Sequence, residues 1–122
     1  MYKEYSALTL AYIGDAVFEI MSRKKVLSEG EKPVKKLHTN VKNIVNAISQ
    51  AKMYAYIYEF LTEEEKSVIQ RGRNAKSMSA SKNAPVIDYR HATGLEALFG
   101  YIYLKGDINR LEEIFGLCLK AL

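Results

Sequence analysis

Two carboxylates stand out in the sequence because each is set among apolar and small residues at helical spacing. Asp15 lies in the run TLAYIGDAVFEIM beside Gly14, and Glu96 lies in the run ATGLEALFGYIYL between Gly94 and Gly100. A carboxylate on an apolar helix face is costly unless a cation or a hydrogen-bond network compensates it. A glycine inside a helix is usually accepted where another backbone or a ligand comes close.

Two helices that each carry one carboxylate among small residues can cross closely, with the two carboxylates facing one another. Such a pair suits a hard cation, because Mg²⁺ typically takes one or two protein carboxylates together with waters and phosphate oxygens. A metal ion held there would polarise a phosphoryl group and activate water for hydrolysis. From the residues alone a structural role stays open, in which a buried Asp bonds a backbone amide or pairs with Arg90 or Lys24.

Basic residues are concentrated in two segments, which suits a partner rich in phosphate. Residues 23–42 carry seven Lys and Arg against two Glu, and residues 71–91 carry five against one Asp. The loop 71–83, RGRNAKSMSASKN, combines cations with small hydroxyl and amide donors, so it can follow a phosphate backbone without reading bases. The alternative is an ordinary solvated loop.

The elements that must position these residues are predicted to be helices, since 3.6-residue periodicity recurs and strict alternation is nearly absent. In the first helix, the apolar stripe Leu10, Ile13, Val17 and Ile20 is predicted to face the core. The first predicted helix runs from Ser6 to about Lys25, and the second runs from Pro33 to about Leu61 with a break near Asn43. A third helix begins with a capping box at Thr62–Glu65 and ends at about Arg73, where a loop over 74–85 follows. The next helix runs from about Asp88 to Leu104 and is ended by Gly106, and Asp107 caps the last helix.

Length and composition predict one domain over residues 1–122. The chain has 122 residues, a formal charge of +4 and one cysteine, Cys118, which excludes an internal disulfide and a Cys-based zinc site. The longest uncharged apolar stretch, Ala97–Leu104, is too short to span a bilayer, and the N-terminus does not read as a signal peptide. A soluble cytosolic protein is expected.

Together these segments resemble a known family. AYIGDAVFE (residues 11–19) resembles the signature helix of the ribonuclease III catalytic domain, and TGLEALFGYIYL (93–104) resembles its second carboxylate helix. RGRNAKS (71–77), the preceding LTEEEK and the lack of an appended double-stranded-RNA-binding domain resemble the mini-ribonuclease III branch in particular. The resemblance covers nearly the whole chain.

The resemblance implies an all-α fold, a helical bundle like the ribonuclease III endonuclease domain, working as a homodimer. Each subunit would hold one site dependent on Mg²⁺, or on Mn²⁺ in its place, and would cut one strand of double-stranded RNA to leave 5′-phosphate ends. The implied substrate is the precursor of 23S ribosomal RNA in the bacterial cytoplasm. A large-subunit ribosomal protein is a further implied partner, and no membrane is involved.

Carried over residue by residue, Asp15 matches the family's catalytic aspartate and Glu96 its metal-binding glutamate, so both are expected to hold the metal. Full-length members have further carboxylates where this chain has Ala11 and Thr93, which leaves the number of metal ions open. Glu19 is expected to be either an outer-shell group of the metal or an ordinary salt-bridged residue.

The expected RNA-backbone contacts come from the basic loop and its flanks: Arg71, Arg73, Asn74, Lys76 and Lys82. Because A-form RNA offers phosphates and 2′-hydroxyls across a shallow minor groove, recognition is expected to follow shape more than sequence. Two alternative functions stay open. One is a catalytically silent RNA-binding or ribosome-associated module on the same fold, and the other is a helical interaction domain with no RNA role.

Overall fold

A computed structural model describes residues 4–75 and 85–122, and over these residues the chain forms six α-helices and no strand. This confirms the predicted all-α class. A short 3-10 turn at Tyr58–Phe60 precedes the fourth helix. The helices are α1 (Ala7–Ser28), α2 (Val34–Lys42), α3 (Ala47–Ile57), α4 (Glu63–Asn74), α5 (Val86–Lys105) and α6 (Ile108–Lys120).

The helix ends follow the capping residues that the sequence predicts. The Ser6 side chain accepts a hydrogen bond from the backbone N–H of Thr9, and Asp107 caps α6 in the same way. Thr62 and Glu65 form a complete capping box, in which each side chain bonds the other's backbone N–H. Gly106 ends α5 in the left-handed conformation, with φ +84°, where a residue with a Cβ would be strained.

The predicted break in the second helix is confirmed, whereas the end of α1 and the start of α5 differ from the prediction. The predicted break near Asn43 is real, because α2 ends at Lys42 and the Asn46 side chain caps a separate α3. Helix α1 runs three residues further, to Ser28. Helix α5 begins at Val86 rather than Asp88, since the preceding Pro85 already supplies a backbone suited to a helix start.

Helix α5 is the central element of the bundle. It packs most extensively against α1 and also against α3 and α4. Ten of its residues between Ala92 and Ile102 are buried, so its sequence is apolar or small on nearly every side. Phe18, Phe99 and Phe115 pack edge to face in the core around α5, and Cys118 is a buried core residue.

The predicted core stripe of α1 is partly wrong. Leu10 and Val17 are buried, but Ile13 is only partly buried and Ile20 is 60% exposed. The reason is that α5 crosses α1 at Gly14, which turns the Gly14 face inward. Ile13 and Ile20 instead line an open apolar groove of about 520 Å³ beside α6. Within the described ranges, no helix is both long and apolar enough to cross a membrane.

Candidate active site

The site is built where α1 and α5 cross with their backbones in contact. A Cβ added to Gly14 would lie 1.6 Å from the carbonyl oxygen of Glu96 and 2.7 Å from the backbone nitrogen of Gly100. A Cβ on Gly100 would lie 2.0 Å from the carbonyl oxygen of Leu10. Only glycine fits at either position. The crossing therefore brings Asp15, the neighbour of Gly14, to the turn of α5 that carries Glu96.

Asp15 and Glu96 lie close enough for their carboxyl groups to hydrogen-bond, with Asp15 exposed and Glu96 partly buried. Burial and the negative charge of Asp15 raise the pKa of Glu96 to about 8, although a hydrogen bond from Gln50 acts in the opposite direction. In the metal-free protein, Glu96 therefore keeps its proton to a higher pH than an ordinary glutamate. The structure thus brings together the two carboxylates that the sequence singled out.

Gln50 is a residue of the site that sequence reasoning missed. It lies on α3, is 4% exposed, and donates a hydrogen bond from Nε2 to Oε2 of Glu96 at 3.4 Å. The signal was present in the run ISQAKMYAYI. Gln50 occupies the same buried helix face as Met53, Tyr54 and Ile57, so it is an amide on an otherwise largely apolar stripe.

Ala11 and Thr93 supply no carboxylate to the site. Ala11 is 7% exposed and Thr93 is 9% exposed, and the Thr93 hydroxyl donates to the carbonyl of Tyr89 at 3.1 Å within α5. No group of three or more His, Cys, Asp or Glu side chains is placed to hold a metal within residues 4–75 and 85–122. The donor set is thus one carboxylate pair.

This pair fits a single hard cation. Mg²⁺ keeps several waters and is usually held through one or two carboxylates plus substrate phosphates. Burial and the negative charge of Asp15 raise the pKa of Glu96, and a divalent ion held by the two carboxylates would offset both effects. Asp15 is exposed, so the pair is open to solvent and to a large substrate.

Glu19 forms a salt bridge. Its Oε2 accepts a hydrogen bond from Nε of Arg23, one turn further along α1, at 2.8 Å. Of the two expectations for this residue, the structure shows the ion pair on the helix surface.

A second glycine crossing sets the place of the basic residues on α4. A Cβ on Gly94 would lie 2.6 Å from the carbonyl oxygen of Ile69 and 3.1 Å from the backbone nitrogen of Arg73. On α4, a Cβ added to Gly72 would lie 2.7 Å from the Cα atom of Gly94. The C-terminal turn of α4, which carries basic side chains, therefore contacts α5 at Gly94, two residues before Glu96.

Arg71, Arg73 and Asn74 belong to this turn. Arg71 is exposed and donates from Nη2 to the carbonyl of Tyr5 at 3.0 Å. Arg73 donates from Nε to Oδ1 of Asn74 at 3.2 Å, and its positive charge lowers the pKa of the Tyr54 hydroxyl, which burial raises more strongly. The other two expected RNA contacts, Lys76 and Lys82, lie outside the described residues.

Comparison with known proteins shows the family of this chain. The model of the ribonuclease III domain family matches residues 8–107. A mini-ribonuclease 3 of Thermoanaerobacter sp. (strain X514) is 44% identical over 117 residues, which cover 96% of this chain and 82% of that protein. A mini-ribonuclease 3 of Enterococcus faecalis is 44% identical over 121 residues, covering 98% of this chain and 92% of that protein.

A solved structure shows the same arrangement of helices. The crystal structure of protein FN1578 from Fusobacterium nucleatum superimposes with a TM-score of 0.87 at 34% sequence identity, covering 96% of this chain and 95% of that one. The bundle, its family match and its named relatives agree. The chain therefore belongs to the ribonuclease III family of endoribonucleases, as a relative of the mini-ribonucleases 3.

Proposed function

We propose that this chain is a metal-dependent endonuclease specific for double-stranded RNA, and that its substrate is the precursor of 23S ribosomal RNA. The single observation that carries the catalytic part is the contact between Asp15 and Glu96 at the Gly14–Gly100 crossing. Membership of the ribonuclease III family supports the reaction class. The names of the mini-ribonuclease 3 relatives support the choice of branch.

Asp15 and Glu96 would hold Mg²⁺, with Mn²⁺ able to replace it. A bound divalent ion supplies Lewis acidity for attack of water on a phosphodiester and for the charge that develops on the phosphate. Asp15, exposed and next to the crossing, would contribute negative charge to the cation site. Glu96 would hold the cation in its ionised form, so binding would require loss of the Glu96 proton.

Cutting would break the bond between phosphorus and the 3′ oxygen, which leaves a 5′-phosphate on one product and a 3′-hydroxyl on the other. Arg71, Arg73 and Asn74 at the end of α4, with Lys76 and Lys82, would bind the phosphate backbone. These side chains offer positive charge and hydrogen-bond donors to phosphates, which favours recognition of duplex shape. The contact of α4 at Gly94 with the helix that carries Glu96 supports this role.

A second copy of the chain is the proposed partner, because a duplex has two strands and each subunit has one carboxylate pair. The apolar groove between α1 and α6 is the proposed contact face. It is lined by Ile13, Ile20, Met21 and Ile108, and Ile20 and Ile108 are 60% and 49% exposed. Exposed apolar side chains grouped in this way are typical of association surfaces. We further propose that a large-subunit ribosomal protein assists the reaction and that the protein acts in the bacterial cytoplasm.

The test is cleavage of a long RNA duplex and of its separated strands, with Mg²⁺ and with EDTA. Cutting of the duplex alone, only with metal, is the expected result. Asp15→Asn and Glu96→Gln should abolish cutting while leaving the fold and RNA binding intact. Glu59→Gln, at an exposed carboxylate on the 3-10 turn, is the matched control and should cut normally.

Cleavage retained by Asp15→Asn in Mg²⁺ would overturn the site. Binding of the duplex by the wild-type protein without cutting would support the silent RNA-binding module instead, for which the buried Ala11 and Thr93 are the structural argument. Neither binding nor cutting would favour a helical interaction domain.

A further inference from the structure

Gln50 is a buried amide whose position is not explained by packing alone. It is 4% exposed and lies on the core-facing side of α3, where the other buried residues are Met53, Tyr54 and Ile57. A Gln side chain carries two donors and an acceptor, and burying them is costly unless they are bonded. A methionine of similar length would fill the same space without that cost. Packing therefore does not account for the presence of an amide at position 50.

The partner of the amide is one of the two site carboxylates. Nε2 of Gln50 lies 3.4 Å from Oε2 of Glu96, although the two residues are 46 positions apart in the chain. Asp15 on α1 and Gln50 on α3 both interact with the Glu96 carboxyl. The Glu96 carboxyl on α5 is thus contacted by side chains from two other helices.

We infer that Gln50 is a positioning residue, whose amide fixes the orientation of the Glu96 carboxylate relative to Asp15 so that the pair can hold one divalent ion. This inference rests on the proposed function, in which Asp15 and Glu96 are the metal ligands. Ala11 and Thr93 supply no carboxylate, so each remaining oxygen ligand must be well oriented. Partners that orient metal ligands typically contribute about 10–100-fold to metal affinity.

A neutral amide is suited to this task because it adds no charge. A Lys or Arg at position 50 would also bond Glu96, but its positive charge would compete with the cation for the carboxylate pair. An amide donor restrains the carboxylate and leaves the negative charge of the pair for the metal.

The experiment measures binding of Mn²⁺ alone to the metal-free protein by calorimetry, beside thermal unfolding and cleavage kinetics. Gln50→Met should bind Mn²⁺ about 10–100-fold more weakly, with an unfolding temperature at or above that of the wild type. Its kcat should fall while KM for the RNA duplex stays unchanged. Gln70→Met is the matched control, because the Gln70 amide donates to the Tyr58 hydroxyl rather than to a site carboxylate.

Gln50→Asn provides a second variant, since it keeps a buried amide on a side chain one carbon shorter and should also weaken Mn²⁺ binding. Wild-type Mn²⁺ affinity in the folded Gln50→Met or Gln50→Asn protein would overturn the positioning role. If the Gln50 variants bind Mn²⁺ normally but Asp15→Asn does not bind it, the positioning role of Gln50 fails and the proposed function stands. If the wild-type protein binds no Mn²⁺, or Asp15→Asn binds it normally, both proposals fail.

Discussion

The backbone of Gly14 on α1 lies against the backbone of Gly100 on α5, so closely that a Cβ on Gly14 would fall 2.7 Å from the nitrogen of Gly100. A Cβ on Gly100 would fall 3.0 Å from the nitrogen of Gly14. Real Cβ atoms do not approach backbone this closely. The meeting of Asp15 and Glu96 depends on this separation, because each carboxylate is attached within one turn of the contact.

Replacing Gly14 with alanine should separate the two helices. The added Cβ would lie 1.6 Å from the carbonyl oxygen of Glu96, which belongs to the backbone and cannot rotate away. Overpacking of this kind costs about 1–3 kcal/mol and more where backbone must move, so we expect Gly14→Ala to lose at least about 3 kcal/mol. Urea denaturation of the metal-free protein measures the loss.

Gly116→Ala is the matched control for this substitution. Gly116 lies inside α6, and a Cβ there would meet nothing within 4 Å. Alanine is better than glycine within a helix by about 1 kcal/mol, so this variant should be slightly more stable than the wild type. Equal stability of the two variants would contradict the tight crossing.

How far the sequence predicts this site can be judged from three residues. Gly14 and Gly100 predicted a close helix crossing, because glycine inside a helix is costly without such a reason, and the structure has that crossing. Ile20 was wrongly assigned to the core. Periodicity identifies an apolar stripe on α1, but the direction from which α5 approaches decides which edge of the stripe is buried, and that direction depends on contacts far apart in the chain.

Gln50 illustrates the other limit of sequence reasoning. A single Gln on a largely apolar helix face indicates a buried polar group, but its partner Glu96 is 46 residues away. Local pattern contains no information on that pairing. The helix ends were predictable for the opposite reason: the cap of α4 is formed by Thr62 and Glu65, which are three residues apart.

The stability of the metal-free protein should depend on the pH of the solution through the ionisation of Glu96. The ordinary pKa is 4.5 and that of the folded protein is about 8, so the folded state holds a proton that the unfolded state has lost. Stability from this group is full below about pH 4.5 and decreases as the pH rises through 8. Thermal unfolding in EDTA should show this decrease for the wild type and a smaller one for Glu96→Gln.

Divalent metal should reverse the decrease, because the ion binds the ionised carboxylates of the folded state. Adding Mg²⁺ or Mn²⁺ at pH 8 should raise the unfolding temperature of the wild type more than that of Glu96→Gln. Identical pH profiles for the two proteins in EDTA would show that Glu96 is not the group responsible.

A buried ion pair should make α4 and α6 sensitive to acid. Glu65 is 6% exposed and accepts hydrogen bonds from Nη2 and Nε of Arg110 at 2.7 and 2.9 Å. Burial acts to raise the pKa of Glu65, but the hydrogen bonds from Arg110 and Thr62 outweigh it and leave the pKa below its usual value. The resulting stability is present above pH 4.5 and is lost as the pH falls through the lowered pKa.

Arg110→Met tests this pair directly. It leaves a buried carboxylate without its charge partner and should cost about 3–5 kcal/mol at neutral pH, measured by urea denaturation. Lys105→Met is the control, since it breaks a more exposed pair with Glu64 at 3.4 Å and should cost less than about 1 kcal/mol. Similar losses in both variants would mean that burial adds nothing to the Arg110 pair.

The basic end of α4 should contribute to RNA binding through charge alone. Arg71 and Arg73 lie next to the Gly72–Gly94 contact, where α4 meets α5 two residues before Glu96. A phosphate bound there would release counterions, and each lost contact lowers the dependence of log affinity on log salt by about 0.9 for a duplex. Replacing both with Gln should therefore weaken binding and reduce the salt slope by nearly two units.

The measurement is fluorescence anisotropy of a labelled RNA duplex over a series of KCl concentrations, with Asp15→Asn present in every protein so that the duplex stays intact. Lys105→Gln is the control, because Lys105 lies at the far end of α5 and should leave the slope unchanged. The affinity for unrelated duplex sequences should fall equally, since phosphate contacts carry no base information. A salt slope that does not change in the double variant would return Arg71 and Arg73 to the role of ordinary solvated cations.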